Sequence, residues 1–396
     1  MTEQTRNLKS KPHRFGCNFC EICIKMLQVT VKAETANLQW KEKMKRKNAA
    51  FETDLALNRR SFLKLSGLLG LGLASASILP ASAEAVKFNR KTYKVSKTRL
   101  AMGTFVSMTL IHSSRDKAEE AMGQAFQEID RLTRSMSRFD EATAVARLNS
   151  DGFLKDAPPE VFEVIAGAMD YYRLTHQAFD ISVKPVVDLF RKNFAQGNSR
   201  PPDGIELRQA LDLVGSDMIE LKGRSIRFKK PGMGITLDGI AKGYIVDSAS
   251  KILARHQIKN YLINAGGDIR AMGSRSDKKA WSVAIQDPKK EKQYPDVIRL
   301  TDAAIATSGN YEVYFDREKM FHHIVDPRTG LSPRLSSSVS VTAHTAMDAD
   351  ALSTSVFVME PANANRFINS LPGCECLVIA RGGRTFKSSG WKSMAI

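Results

Sequence analysis

Apolar positions change period several times along the chain, and each change marks an expected element. Residues 93–111 read as extended chain, interrupted once at Met102-Gly103-Thr104. Residues 114–136 switch to helical spacing, with Ala118, Ala121, Ala125, Ile129 and Leu132 on one stripe. Further helices are expected over 161–175 and 205–214. The stretch FDISVKP at 179–185 reads as a short extended segment leading into another helix. Residues 218–229 predict a hairpin turning at Lys222-Gly223. Short strands are expected near 261–263, 281–285, 303–307, 338–343 and 376–380. A Pro/Gly/Asn-rich loop at 197–204 is the best internal break in composition, but it is too short to divide domains. Helices alternating with short strands, without repeats, predict an α/β or α+β layered fold.

Composition narrows the function classes. A chain of 396 residues holds one large domain or two ordinary ones. The net charge is +17, but residues 1–64 carry fourteen Lys and Arg against six Asp and Glu, which leaves +9 for the remaining 332 residues. That remainder has no basic run interleaved with aromatics, so no nucleic-acid partner is expected. Its mild basicity suits an anionic small-molecule substrate.

The N-terminal region reads as addressing rather than fold. Arg59-Arg60 and the following Ser-Phe-Leu-Lys precede an uncharged Leu/Gly/Ala run over 65–83, which closes on the A-x-A site Ala81-Ser82-Ala83. Together these predict a twin-arginine export signal over 58–83, and a periplasmic or cell-envelope location. Residues 1–57 would then be an extension. Met44, followed by Lys45, Arg46 and Lys47, offers a natural basic start, so residues 1–43 are expected to be disordered or to lie upstream of the true start. Cys17, Cys20 and Cys23, with His13 nearby, loosely match a cluster-binding spacing but lack a fourth close cysteine. Cys374 and Cys376 are too close for an easy disulfide. The working domain is expected over 84–396.

Three stretches carry candidate chemistry. In TAMDADALSTSVFVM at 345–359, Asp348 reads as an N-cap. Asp350 and Thr354 stand four apart on one helical face, a carboxylate and a hydroxyl of the kind Mg²⁺ accepts. Taken alone, the same stretch also reads as a capped, buried helix of small residues. In GITLDGIAKGYIVD at 234–247, a strand ending at Leu237 would deliver Asp238 to a turn, with a helix running from Ala241 to about 256. Such a helix start favours anions, and Lys242 could add a point charge to a phosphate. Gly266-Gly267, in NAGGDIR at 264–270, allows close backbone approach to a ligand. His322 and His323 are expected on a strand that ends in a DPRTG turn. No P-loop, G-x-G-x-x-G or G-x-S-x-G pattern occurs.

Taken in order, MGT at 102–104, FDISVKP at 179–185, LDGIAKGY at 237–244, NAGGD at 264–268, TSGN at 307–310, HIVDPRTG at 323–330 and ADALST at 349–354 resemble the ApbE family, the FAD:protein FMN transferases. The resemblance spans nearly all of residues 90–390. It implies an α+β, T-fold-like layering of helices and sheets around a central FAD cleft, with Mg²⁺ at the diphosphate. By this resemblance the metal ligands fall on Asp350, Thr354 and the Ala241 carbonyl, with Ser353 beside them. Contacts to FAD fall on Met102, Phe139, Ala178, Phe179, Asp180, Asp238, Tyr244 and Ile324. The chain departs from the family after Leu189, where FRKNF at 190–194 replaces a frequent Trp-Gly-Phe-Gly.

The implied reaction moves FMN from FAD to a Thr or Ser hydroxyl of a target redox protein and releases AMP. The target would carry an FMN-binding domain and belong to a membrane-associated electron-transfer system. Phosphoryl transfer relies on positioning and electrostatics, which fits the lack of a conventional nucleophile. His323 is a candidate for proton transfer or phosphate contact, and Asp350 for taking the hydroxyl proton. Hydrolysis of FAD to FMN and AMP on the same site, and a flavin carrier without turnover, are the alternative readings.

Overall fold

The two-residue interruption at Met102-Gly103 sets the first feature of the fold. Strands β2 (Tyr93–Ala101) and β3 (Thr104–His112) pair antiparallel from Tyr93↔His112 to Ala101↔Thr104. Met102 and Gly103 alone make the turn, at φ 53° and 70°. Positive φ at both central positions matches the right-handed twist of the flanking strands. The same device recurs between β7 (Asn260–Ala265) and β8 (Asp268–Met272), where Gly266 and Gly267 have φ 63° and 107°. A Cβ on Gly266 would collide with Thr104, so the two turns pack together at one end of the sheet.

A computed structural model of the chain describes residues 84–87, 92–195, 201–275, 278–289, 294–310 and 321–394. The expected extension over 1–57, the export signal over 58–83, Cys17, Cys20 and Cys23, and residues 197–200 of the expected loop lie outside the described residues. The main sheet adds β1 (Glu84–Lys87), β11 (Ala303–Gly309), β12 (Ser336–Ala343), β13 (Glu375–Ala380) and β14 (Thr385–Lys387). Among the described residues its nine strands run in the order β1-β2-β3-β7-β8-β11-β12-β13-β14, and every pairing is antiparallel. Two smaller sheets form from β4 (Phe153–Leu154), β5 (Ile219–Lys222) and β6 (Ser225–Phe228), and from β9 (Trp281–Ala284) and β10 (Val297–Leu300). The expected hairpin at Lys222-Gly223 is β5–β6.

Helices α1 (Arg115–Met136), α2 (Ala144–Asp151), α3 (Pro159–Leu174), α4 (Lys184–Ala195), α5 (Gly204–Leu211), α6 (Ala241–Arg255), α7 (Ala346–Val358) and α8 (Pro361–Asn369) complete the α+β fold. Ser114 caps α1 by accepting from the Lys117 amide, and the expected stripe from Ala118 to Leu132 is buried. That stripe joins α6, β3 and β7 in the largest core cluster. Helix α7 packs with β12, β13 and α8 in another. The β9–β10 hairpin builds a third with Ile269, Ile305 and Trp391. Here the C-terminal segment is fastened by buried Asp296, which accepts from Trp391 Nε1 at 2.8 Å and Ser393 Oγ at 2.7 Å and pairs with Lys387 at 2.8 Å.

Four expectations need correction. Residues 233–237 form no strand; the Ile235 amide donates to Asn149 Oδ1 (2.7 Å) and the Thr236 amide to the Ile181 carbonyl (2.8 Å), so this segment is satisfied by loops. The histidine pair is not on one of the strands. Residues 181–183 form a 3₁₀ turn rather than extended chain, because Asp180 accepts from the Ser182 amide at 2.7 Å. Asp348 is not the N-cap of α7: Thr345 is, accepting from the Asp348 amide at 3.1 Å. Cys374 and Cys376 are free, and burial pushes their thiols up to about 11 and about 12.

Candidate functional site

Helix α7 is buried on nearly every side, with ten of its thirteen residues in the interior. A carboxylate in such a helix needs a specific reason to be there. Asp350 is only 4% exposed, and its Oδ2 accepts from the Gly243 amide in the first turn of α6 at 3.0 Å. Buried Asp268 approaches from the start of β8, beside the Gly266-Gly267 turn. Burial, and then the Asp268 charge, push the Asp350 carboxyl up to about 8 against the opposing pull of Lys242 and the Gly243 amide. Lys242 Nζ stands 2.7 Å from Asp268 Oδ2, yet that oxygen has no well-aligned hydrogen-bond donor.

Hydroxyls line the next turn of α7. Ser308 Oγ, near the end of β11, lies 2.8 Å from Ser353 Oγ and 3.3 Å from Thr354 Oγ1. Ser353 Oγ also donates to the Asp350 carbonyl at 3.0 Å. Gly239 brings the turn before α6 close to this group: a Cβ there would sit 3.0 Å from Thr354 Oγ1 and 3.3 Å from Phe179 Cε2. Ala241 opens α6 two residues before the amide that reaches Asp350. The crossing of α6 and α7 therefore gathers two buried carboxylates, several hydroxyls and one ammonium. Among the described residues no group of three or more His, Cys, Asp or Glu forms a metal cluster. The donor set is hard oxygen, and one buried carboxylate oxygen lacks an aligned partner; these residues fit a Mg²⁺ ion that keeps part of its shell for water or phosphate.

The expected flavin contacts divide into groups. Ala178 and Ile324 are buried together against Leu352 and Val356 of α7. Phe179 packs edge-on to Tyr171 at 6.0 Å and beside Gly239. Asp180 is turned into its own loop, accepting from Ser182 Oγ and Ser216 Oγ at 2.6 Å each, while burial raises its pKa. Asp238 is exposed and pairs with Arg138 Nη2 at 3.4 Å; the same guanidinium holds Asp188 at 3.1 Å. Phe139 is 70% exposed, with the Arg138 and Arg191 guanidiniums 4.6 and 5.4 Å from its ring centre. Met102 sits at the hairpin turn with φ 53°, two residues before the Thr104 that a Cβ on Gly266 would strike. Tyr244 is buried and donates to Glu163 on α3 at 2.7 Å; burial and that carboxylate raise its pKa. His323 is half-buried, whereas His322 is buried, bonded to the Pro333 carbonyl at 3.1 Å and set edge-on to Phe357 of α7.

Asp268, Ser308 and Arg138 join the site without having been singled out as ligands. The first two lie in the NAGGD and TSGN stretches, so their segments carried a signal. Arg138 carried none, because nothing local to a loop arginine tells which distant carboxylates it bridges.

Residues 102–378 match the model of the ApbE family. The FAD:protein FMN transferase of Haemophilus influenzae is 30% identical over 288 residues, covering 68% of this chain and 82% of that protein. The FAD:protein FMN transferase of Treponema pallidum is 28% identical over 319 residues, covering 74% and 87%. In structure, the ApbE protein of Thermotoga maritima superposes with a TM-score of 0.68 at 30% identity, covering 75% of this chain and 97% of that one. The flavin transferase ApbE of Vibrio cholerae gives 0.64 at 25% identity, covering 78% and 98%. With the match running through every stretch that builds the α6–α7 crossing, the chain belongs to the ApbE family.

Proposed function

We propose that this chain is an enzyme, an FAD:protein FMN transferase, which splits the diphosphate of FAD and places FMN on a Thr or Ser hydroxyl of a partner protein. The observation that carries the reading is Asp350: a buried carboxylate held by the Gly243 amide, crowded by Asp268 and bordered by the hydroxyls of Ser308, Ser353 and Thr354. Such a group becomes favourable once a divalent cation joins it. We assign Mg²⁺ to Asp350, Thr354 and the Ala241 carbonyl, with Ser353 adjacent. When bound, it neutralises charge on the diphosphate and on the departing AMP.

The chain's own residues do the rest by placement. Lys242 brings an ammonium beside the diphosphate site, close to Asp268. Gly267 leaves backbone open to close approach, and exposed Phe139 gathers the Arg138 and Arg191 guanidiniums around its ring. The partner's hydroxyl oxygen forms a bond to the FMN phosphorus, the bond from that phosphorus to the AMP oxygen breaks, and the hydroxyl proton goes to a base. Asp350 and half-buried His323 are the groups we assign to proton transfer. We also infer that residues 58–83 direct export by the twin-arginine route. The partner is then a periplasmic or membrane-attached redox protein.

The test incubates purified protein with FAD, Mg²⁺ and a candidate acceptor. Flavin fluorescence that stays with the acceptor through denaturation, and that disappears in EDTA, is the expected result. Free FMN plus AMP with an unlabelled acceptor would replace transfer by hydrolysis, and unchanged FAD would leave a carrier.

A further inference from the structure

Asp247 stands on α6 one turn beyond Gly243, on the same face, and its carboxylate is directed at another helix. Its Oδ1 accepts from the Ala346 amide at 3.0 Å and its Oδ2 from the Met347 amide at 2.8 Å. These are two of the amides that a helix start leaves without an intrahelical acceptor. Thr345, the local N-cap of α7, takes another, that of Asp348. The cap of α7 is thus shared between its own chain end and a carboxylate from α6. Arg270, buried on β8, places its Nε 4.0 Å from Asp247 and supplies the countercharge.

Four residues earlier on α6, the Gly243 amide holds Asp350. At the same place Gly243 lies so close to α7 that a Cβ would strike the Ala346 carbonyl and stand 2.7 Å from Met347 Cα. Gly243 therefore sets how near the helices come. The two-oxygen contact of Asp247 sets how far α7 has turned and slid. A slip of one residue turns a helix by about 100° and shifts it by about 1.5 Å. Either displacement would carry Asp350 and Thr354 away from the start of α6.

We propose that Asp247 is a positioning residue for the cation site: by capping α7 from α6 it fixes Asp350 and Thr354 relative to Ala241. This rests on the reading of the α6–α7 crossing as a Mg²⁺ site. Both oxygens of Asp247 are occupied by α7 amides, so its part is to place that helix. It acts through the helix that carries two of the ligands, in the manner of the outer partners that orient ligands at other metal centres.

The test titrates Mg²⁺ calorimetrically into the full chain saturated with FAD, without an acceptor. Wild type is compared with Asp247→Asn, Asp247→Ala and, as a reference without the ligand carboxylate, Asp350→Ala. Asp247→Asn keeps the shape and one accepting oxygen, and is expected to bind Mg²⁺ about tenfold more weakly; Asp247→Ala loses about 100-fold. FAD affinity in EDTA should not change, and excess Mg²⁺ should restore transfer by Asp247→Asn. If Asp247→Ala does not fold, the isosteric Asn variant carries the test. A lowered melting temperature with unchanged Mg²⁺ affinity would make Asp247 an ordinary helix cap and overturn the proposal. Wild type that binds no Mg²⁺ would overturn the metal reading beneath it, and this proposal with it.

Discussion

Replacing Asp350 by Asn should stabilise the metal-free protein while destroying the proposed Mg²⁺ site. Asp350 has a carboxyl raised from an ordinary 3.8 to about 8, through burial and the nearby Asp268 charge. A carboxyl raised on folding binds its proton more tightly in the folded chain. Its effect is therefore absent below pH 3.8, grows destabilising as the pH rises, and levels off above about 8. At pH 7.5 nearly the whole interval counts, and each pKa unit is worth about 1.4 kcal/mol. Asp268 and Asp350 share the repulsion, so a working value is about 2–4 kcal/mol in favour of the Asn variant, falling to about 1 kcal/mol at pH 5. The Asn oxygen can still accept from the Gly243 amide, so no donor is orphaned there. Urea denaturation of both proteins in EDTA at the two pH values measures the gap. Added Mg²⁺ should then stabilise wild type by mass action and leave Asp350→Asn unmoved. A variant less stable than wild type at pH 7.5, or a gap that shrinks with rising pH, would refute the electrostatic account of this site.

Thr354→Val keeps the shape of the side chain and removes one oxygen, leaving Ser308 bonded to Ser353. The Mg²⁺ concentration needed for half-maximal transfer should rise about tenfold; an unchanged titration curve would remove Thr354 from the ligands. Asp296 works in the opposite sense to Asp350. Burial raises its pKa, but Lys387, Ser393, Trp391 and the Val297 amide outweigh that and hold it below 3.8. Its contribution is present above about pH 4 and lost as the pH falls through the lower folded value. Asp296→Ala should cost about 2–3 kcal/mol at neutral pH in denaturant melts, and a cost near zero would show that the C-terminal fastening is idle.

Local chemistry made much of this fold legible. The turn at Met102-Gly103 and the stripe on α1 follow from residue type and spacing, and so does the pairing of Asp350 with Thr354 on one helical face. The errors came where hydrogen bonds leave the neighbourhood. Residues 233–237 look like a strand, but their amides go to Asn149 and Ile181, so no ladder forms. Asp348 and Thr345 both suit a cap; the hydroxyl three residues before the Asp348 amide makes the bond, and Asp348 instead receives the Tyr171 hydroxyl. The pairing of Lys242 with Asp268 was not legible either, because it depends on a strand 26 residues further along. The capping of α7 by Asp247 spans about 100 residues of sequence, and no periodicity encodes it.

The helix crossing and exposed Phe139 are held with very different tightness. Asp350, Thr354 and Gly243 belong to helices clasped so tightly that a single methyl group has no room between them. Phe139 belongs to a loop, and the Arg191 guanidinium over its ring comes from α4. A changed side chain at exposed Phe139 has solvent to move into, whereas a Cβ at Gly243 would have to push a helix aside. An engineer altering this protein should begin at that loop and leave the helix crossing alone.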